Sequence, residues 1–126
     1  MEEFHGRSGR KSSGTGGRIK KHRDKRLFEI GGVFTATKVG DSDARFVSRT
    51  RGGGTKVRLR QASFVNVVTK DGIKRAKIRT VLETPDNRHY ARQNIITKGT
   101  ILDTEFGKVR VTNRVGQDGV INGVLV

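Results

Sequence analysis

Apolar residues are distributed very unevenly along this sequence, and their distribution limits what the chain can fold into. Ala, Val, Ile, Leu, Met, Phe and Tyr make up 32% of its 126 residues, but only three of these apolar residues precede position 27. Residues 1–26 cannot bury enough surface to offset the roughly 1–2 kcal/mol of backbone entropy that each residue loses on ordering. We therefore expect one folded domain over residues 27–126, preceded by an arm, residues 1–26, that is disordered when free.

The composition of residues 27–126 favours strands over helices. These residues include 21 Val and Ile but only five Leu, and branched side chains pack well on a sheet but lose rotamer freedom in a helix. Short alternating segments are separated by turns rich in Gly, Asp and Asn. The predicted strands are 33–39, 45–51, 55–60, 63–69, 73–83, 95–103, 107–113 and 119–125. This pattern predicts an all-β fold, a compact antiparallel β-barrel-like domain of short strands.

Two local features modify this pattern. Asn87–Gln93, after Pro85, is predicted to form one or two helical turns. The pair Asn122-Gly123 resembles a hairpin turn, but only three residues follow it, and we interpret it as a β-bulge. Five phenylalanines are expected to fill the core rather than to stack on bases: Phe28, Phe34, Phe46, Phe64 and Phe106.

The charge of the chain indicates the class of its partner. There are 27 Lys and Arg against 12 Asp and Glu, a formal net charge of +15. Such a surplus increases self-repulsion in the folded state unless a polyanion neutralises it. Residues 5–26 alone hold nine cations, one acid and five glycines, which indicates a basic arm that becomes ordered on a polyanion. A merely solubilising tail is the alternative.

Three predicted strands carry cations on one face and apolar residues on the other. The cations are Lys56, Arg58 and Arg60 in one strand, Lys77 and Arg79 in a second, and Lys108 and Arg110 in a third. A solvated strand face often carries charges, but these faces contain few acids. Their charge therefore favours contact with the phosphate backbone of RNA or DNA.

A glycine-rich segment lies inside the densest cluster of cations outside the arm. Gly52, Gly53 and Gly54 follow Arg49 and Arg51, and consecutive glycines let main-chain amides approach a phosphate. The segment matches neither a P-loop nor the dinucleotide-binding fingerprint. It is predicted to form a phosphate-contacting loop, a glycine-rich β-turn, or both at once.

The remaining composition excludes several classes of function. Without Cys there is neither a disulfide framework nor a thiolate site, which fits a reducing compartment. The three histidines have no metal-binding spacing, and no hydrolase motif occurs, so we predict no enzymatic activity and no cofactor or metal site. Aromatic residues are only 6%, which favours recognition of a folded nucleic acid through phosphates over base stacking.

The longest uninterrupted apolar run has three residues. A membrane span needs about 20 apolar residues, and the hydrophobic region of a signal peptide needs roughly 7 to 15. We therefore expect neither a membrane-spanning segment nor a secretion signal.

Motifs of one known family occur in order along nearly the whole chain. They are His5–Ser8 with Arg10-Lys11, Gly16–Arg18 and Lys25–Gly31, then Arg49–Gly53 with Lys56–Arg60, and finally Lys77–Pro85, Asn87-Arg88, Tyr90, Arg92, Asn94–Gly99 and Gly116–Val120. In these motifs the chain resembles the S8e family of archaeal and eukaryotic small-subunit ribosomal proteins. Its length is similar to that of the short archaeal form.

The resemblance implies a β-rich domain with a basic extension that threads into small-subunit rRNA. It gives an rRNA-contacting role to the arm cations and to Arg49 and Arg51 with the glycines beside them, and we add the first two cationic strands and two arginines of the last motif. The expected rRNA-binding residues are Arg7, Arg10, Lys11, Arg18, Lys20, Lys21, Arg23, Lys25, Arg26, Arg49, Arg51, Gly52, Gly53, Lys56, Arg58, Arg60, Lys77, Arg79, Arg88 and Arg92.

The function expected from the resemblance is that of a structural constituent of the small ribosomal subunit, which stabilises folded rRNA during assembly and translation. The expected partners are rRNA and neighbouring small-subunit ribosomal proteins, with a cytoplasmic location in the subunit and a monomeric free state. Charge alone equally supports a DNA-compacting β domain, because phosphate attraction is common to RNA and DNA. An adaptor for an acidic protein is a third possibility, and the family motifs favour the first.

Overall fold

The alternating segments form nine strands in a computed structural model, which describes residues 4–5 and 9–126. The strands are β1 Thr37–Val39, β2 Ala44–Arg49, β3 Thr55–Ala62, β4 Phe64–Thr69, β5 Gly72–Glu83, β6 Ile95–Ile96, β7 Ile101–Thr104, β8 Gly107–Val111 and β9 Asn122–Leu125. The short helices are α1 Arg88–Arg92 and α2 Val115–Asp118, and a 3-10 turn spans Leu27–Glu29. The chain divides into two compact units, Met1–Phe34 and Thr35–Val126.

The second unit contains a closed barrel of five strands in the order β4-β5-β7-β8-β9. Four neighbouring pairs are antiparallel, and β4 and β9, which close the barrel, are parallel. A ring with an odd number of strands cannot alternate direction at every pair, so one parallel pair is required. The predicted all-β, barrel-like fold is confirmed.

The same unit contains a four-stranded sheet in the order β2-β3-β1-β6. β2 and β3 form an antiparallel hairpin, with Phe46 opposite Arg58 and Ser48 opposite Lys56. β1 runs parallel to β3 and antiparallel to β6. This sheet therefore carries the first of the predicted cationic strands, whereas the other two, β5 and β8, are barrel strands.

Small and branched apolar side chains fill the core of the second unit. The buried cluster contains Leu59, Ala62, Val65, Val67, Ala76, Ile78, Val81, Ile96, Leu102, Val109, Val111, Val115 and Ile121. Burying a Val, Leu or Ile side chain fully is worth about 1.5–3 kcal/mol relative to leaving it exposed. The alternation along β4, β5 and β8 thus points one face of each strand into a single core.

The phenylalanines do not fill this core, and that prediction was wrong. All five lie on the surface, with exposed fractions of 55% for Phe28, 56% for Phe34, 44% for Phe46, 37% for Phe64 and 47% for Phe106. Only Phe64 lies in a barrel strand, β4, where the adjacent Val65 takes the inward position. The other four phenylalanines lie outside the barrel strands.

Two predictions for the barrel half of the chain differ from the structure. The predicted strand 95–103 is two strands, because Thr97 N–H donates to Thr100 Oγ1 at 3.0 Å and Gly99 turns the chain at φ 84°. The bulge at Asn122-Gly123 was also wrong: both residues continue the β9 ladder without a register shift. Gly123 is required there because a Cβ would lie 2.4 Å from Val109 Cγ1.

At its N-terminal end, the predicted strand 33–39 forms only from Thr37 onward. The predicted helical turns at Asn87–Gln93 are confirmed by α1, which begins where the Asn87 side chain accepts a hydrogen bond from His89 N–H at 2.9 Å. Such a side-chain acceptor satisfies an amide that has no partner within the helix. No helix in the described part of the chain is long and apolar enough to cross a membrane.

The first unit has a different construction. Its described residues include isolated bridges between Phe4 and Ile30 and between Arg10 and Arg18, and none of its described residues is buried. From the composition we expected the folded domain to begin at residue 27, but residues 27–34 belong to this first unit. Disorder of the arm in the free protein stays a prediction, and residues 1–3 and 6–8 of that arm lie outside the described residues.

Candidate nucleic-acid interface

The β2–β3 hairpin, residues 44–62, concentrates positive charge more than any other part of the second unit, and we call it the basic hairpin. It carries six cations and no Asp or Glu. Phe46, Ser48, Lys56 and Arg58 share one face through their cross-strand pairing. Arg49, Arg51 and Lys56 have no described acid at ion-pair distance, and such cations can interact with phosphates without first breaking an ion pair. The basic hairpin is therefore the strongest candidate for a phosphate-binding surface.

The tip of the basic hairpin depends on its glycines. Thr50 N–H donates to Gly54 O at 2.7 Å and Gly53 N–H donates to Thr50 O at 3.2 Å. Gly52 and Gly53 have φ values of 89° and 85°, which side chains with a Cβ rarely adopt. Because the Gly53 amide already has an acceptor, the cations beside the loop, rather than that amide, provide its attraction for phosphate.

Arg49 and Arg51 flank this tip and are both exposed. Arg49 pairs with Thr55, so its side chain leaves the face opposite to that of Lys56. Within the described residues, no carboxylate lies at ion-pair distance from Arg49, Arg51 or Lys56. The tip therefore presents cations on both faces of the hairpin.

The second and third cationic strands lie on the outer wall of the barrel. Lys77 and Arg79 of β5 are exposed, as are Lys108 and Arg110 of β8. β7 separates β5 from β8, and its Asp103 lies directly opposite Lys108. The three strands are thus not neighbours in one sheet, and an acid partly balances the cations of β8.

Arg88 and Arg92 occupy the exposed side of α1. Residues four positions apart lie on the same side of a helix, so both guanidinium groups leave α1 in a similar direction. α1 packs against β5 and β6. These two arginines form a cationic site separate from the hairpin tip.

The arm cations lie in the first unit, and their environments differ. Arg23 binds Glu29 at 2.7 Å and lies 5.4 Å from the centre of the Phe28 ring, and Lys25 lies 4.7 Å from that of Phe4. The hydrogen bond from Arg26 N–H, and then that from the Arg23 side chain, hold the pKa of Glu29 below its ordinary value. Arg7 lies outside the described residues.

Sequence reasoning missed one cluster, at the base of the basic hairpin. Asp43 Oδ1 accepts from Ser63 N–H at 2.9 Å, and its Oδ2 lies 3.1 Å from Arg45 and 3.5 Å from Arg75. Arg45 Nε also donates to Gly119 O at 2.8 Å, and the Arg75 guanidinium lies 4.0 Å from the centre of the Phe64 ring. Phe64 and Arg75 lie diagonally opposite each other on one face of the paired strands β4 and β5. Only this pairing, once predicted, could have indicated the cluster.

The described residues contain no group of three His, Asp or Glu side chains that could hold a metal ion. The second unit presents exposed cations on the basic hairpin, on the barrel wall and on α1. What it offers a ligand is positive charge, exposed amides near the hairpin tip and several exposed aromatic rings.

Comparison with known proteins gives a consistent result. The family model for ribosomal protein S8e matches residues 5–126. A protein named small ribosomal subunit protein eS8 from Sulfolobus acidocaldarius is 48% identical over 128 residues, which cover 100% of this chain and 98% of that protein.

Proteins of the same name from Sulfurisphaera tokodaii and Methanocella arvoryzae are each 46% identical to this chain. The first match covers 100% of this chain and 98% of the relative, and the second covers 98% of both. The similarity therefore includes the arm as well as the barrel.

Proposed function

Because the chain belongs to the ribosomal protein S8e family and is thus a structural, non-enzymatic component of the ribosome, we propose that it binds small-subunit rRNA through phosphate contacts. The resemblance seen in the motifs is confirmed by this membership, which also agrees with the prediction of no enzymatic activity. The observation that carries the proposal is the absence of acids from the basic hairpin, which has six cations among residues 44–62.

The mechanism is electrostatic. Each cation that neutralises a phosphate releases a condensed counterion, and this release makes affinity depend steeply on salt concentration. Arg49, Arg51 and Lys56 are exposed and have no described acid at ion-pair distance, so they bind phosphate without losing an existing partner. Lys77, Arg79, Arg88 and Arg92 extend the contact, and together these cations hold folded rRNA segments against one another.

The arm contributes differently from the hairpin. Its cations are Arg7, Arg10, Lys11, Arg18, Lys20, Lys21, Arg23, Lys25 and Arg26. An arm that becomes ordered on binding loses conformational entropy, so it gains less net affinity per contact than a preorganised surface. It can, however, enter crevices of folded RNA that a barrel cannot, and we expect it to provide selectivity for its own rRNA site.

The protein is proposed to act in the cytoplasm within the small subunit, beside neighbouring ribosomal proteins, and to be monomeric before assembly. A DNA-compacting domain is the second candidate, since its phosphates would attract the same cations. The family match over residues 5–126 supports rRNA as the partner.

A salt titration of rRNA affinity tests this proposal. We expect the double variant Arg49→Ala/Arg51→Ala to reduce the slope of log affinity against log salt by up to about 1.8, since each phosphate contact contributes about 0.9 on a duplex. The probe is a transcript of archaeal small-subunit rRNA. Lys70→Ala/Lys98→Ala removes the same charge from two exposed sites outside the proposed interface and serves as the matched control.

The control variant is expected to keep the slope of the unmodified protein. Equal slopes for the two double variants would mean that only net charge matters, and would remove the hairpin tip from the interface. An equally tight complex with duplex DNA at the same salt concentration would favour the DNA-compacting alternative.

A further inference from the structure

The pair Phe64 and Arg75 combines features of a base-binding site. The Arg75 guanidinium lies 4.0 Å from the centre of the Phe64 ring, which is the distance of direct stacking. The side chain of Arg75 is 61% exposed. One face of the planar guanidinium therefore contacts Phe64, while much of the remaining side-chain surface is open to solvent.

Asp43 forms an ion pair with this guanidinium. Its Oδ2 lies 3.5 Å from Arg75 and 3.1 Å from Arg45, and its Oδ1 accepts from Ser63 N–H at 2.9 Å. The carboxylate is only 15% exposed, so the backbone and a second arginine hold it in place. The ion pair engages one terminal nitrogen of Arg75, which leaves the flat face of the guanidinium for a ligand.

Phe64 and Arg75 both line a small cavity of about 270 Å³. Ligand pockets are usually about 300–1,000 Å³, so this one suits a single flat ring better than a larger molecule. Asn66 lines the cavity, and its amide N–H donates to Asn122 Oδ1 at 3.0 Å. The side-chain carbonyl oxygen of Asn66 accepts no hydrogen bond from a described residue. It can therefore accept one from the edge of a base.

We propose that Arg75, supported by Phe64 and paired with Asp43, is a stacking platform for one unpaired nucleobase of the bound RNA. Splayed-out bases stack on arginine planes as well as on aromatic rings. A carboxylate or phosphate would bind the edge of the guanidinium, which Asp43 already occupies in part. The inference rests on the proposed rRNA binding and adds a base contact to its phosphate contacts.

A second pair of this kind has weaker support. Arg60 lies 4.9 Å from the centre of the Phe46 ring, but no described acid holds its guanidinium at ion-pair distance. Without such an anchor the arginine loses more side-chain freedom when a ligand binds. The structure therefore assigns the base to Arg75.

The test uses the full chain and an RNA with a single base. One probe is a seven-residue abasic RNA backbone with one central 2-aminopurine, and its partner is the fully abasic backbone. We expect the base to increase affinity about 5- to 150-fold, the range of stacking contributions per base, and to lose fluorescence on binding. Both titrations are made at one low salt concentration.

Arg75→Lys keeps the charge but removes the plane, so it is expected to reduce the preference for the base to less than about twofold while affinity for the fully abasic probe stays unchanged. Arg114→Lys makes the same exchange at an exposed arginine outside the proposed interface and is expected to keep the full preference. Thermal unfolding of both variants checks that they remain folded. Replacing 2-aminopurine by 4-thiouridine and mapping the photochemical crosslink should identify a residue that lines the cavity beside Arg75, such as Asn66.

Equal affinity of the unmodified protein for the two probes would overturn the inference but leave phosphate binding intact. A crosslink at Phe46, or a preference that survives Arg75→Lys, would also overturn it. Failure of both probes and of rRNA to bind would instead contradict the proposed function itself.

Discussion

The two units of this chain are stabilised in opposite ways. The second unit, Thr35–Val126, surrounds a core in which Leu102, Val65 and Val109 are completely buried. The described residues of the first unit include none that is buried, and their contacts include isolated β-bridges, an ion pair and cations above aromatic rings. The comparison shows that buried apolar side chains stabilise the barrel, whereas contacts between exposed side chains stabilise the first unit.

The largest effect expected from this comparison is on stability. Leu102→Ala should lower the free energy of unfolding by about 2–5 kcal/mol, because it leaves a cavity at a fully buried position. The matched variant in the first unit is Phe28→Ala, which changes a 55% exposed ring and should cost no more than about 1 kcal/mol. Urea unfolding measures both, and equal losses would show that the first unit has a core of its own.

Deleting residues 1–26 should have an intermediate effect, on selectivity rather than on folding. The buried cluster lies wholly within the second unit, so the truncated protein should unfold at nearly the same urea concentration. Its preference for small-subunit rRNA over an unrelated structured RNA should fall by about tenfold or more, equal to about 1.4 kcal/mol. Competition titration at one fixed salt concentration measures this ratio.

An equal loss of affinity for both RNAs would make the arm an electrostatic tether without a role in selectivity. Amide order parameters of the free protein give an independent check of the arm. Values below about 0.6 over residues 9–26 are expected of flexible backbone, and values near 0.85 would contradict disorder in the free state.

The smallest effect is the pH dependence of the turn at Leu27–Glu29. The pKa of Glu29 is lowered in the folded state, first by the hydrogen bond from Arg26 N–H. A carboxyl with a depressed pKa stabilises the structure above its unfolded pKa, and this contribution is lost as pH falls through the folded pKa. The amide shift of Arg26 should therefore change only below the ordinary titration range of Glu.

Glu29→Gln provides the control for this titration, because its Arg26 amide should not titrate. A transition of the Arg26 amide at or above the ordinary Glu range would show that the carboxylate is not held as the structure has it.

Local patterns were sufficient to predict the fold class. The alternation of Val57 and Leu59 with cations predicted β3, and Pro85 followed by Asn87 predicted the start of a short helix. These predictions succeeded because strand alternation and helix capping depend on residues close in sequence. The family motifs, which are also local, predicted the family.

The failures required information from distant residues. In β4, Phe64 and Val65 are both apolar, and the pairing of β4 with distant strands decides that Val65 points inward. The ion pair of Asp43 with Arg75 joins the segment before β2 to β5, and no spacing along the chain indicates it. The rRNA-contacting roles of individual cations stay predictions, since they depend on an RNA surface that the sequence does not contain.

The parallel pair that closes the barrel has a consequence for the order of events during synthesis. It joins Asn66 of β4 to Asn122 of β9, 56 residues apart, whereas the basic hairpin joins neighbouring strands. A growing chain can therefore form the hairpin long before its barrel can close, since β9 is the last strand of the barrel to be made. Until then the edges of β4 and β8 can pair with strands of other unfinished chains. Early binding of the hairpin to RNA would keep such chains apart and so reduce this pairing.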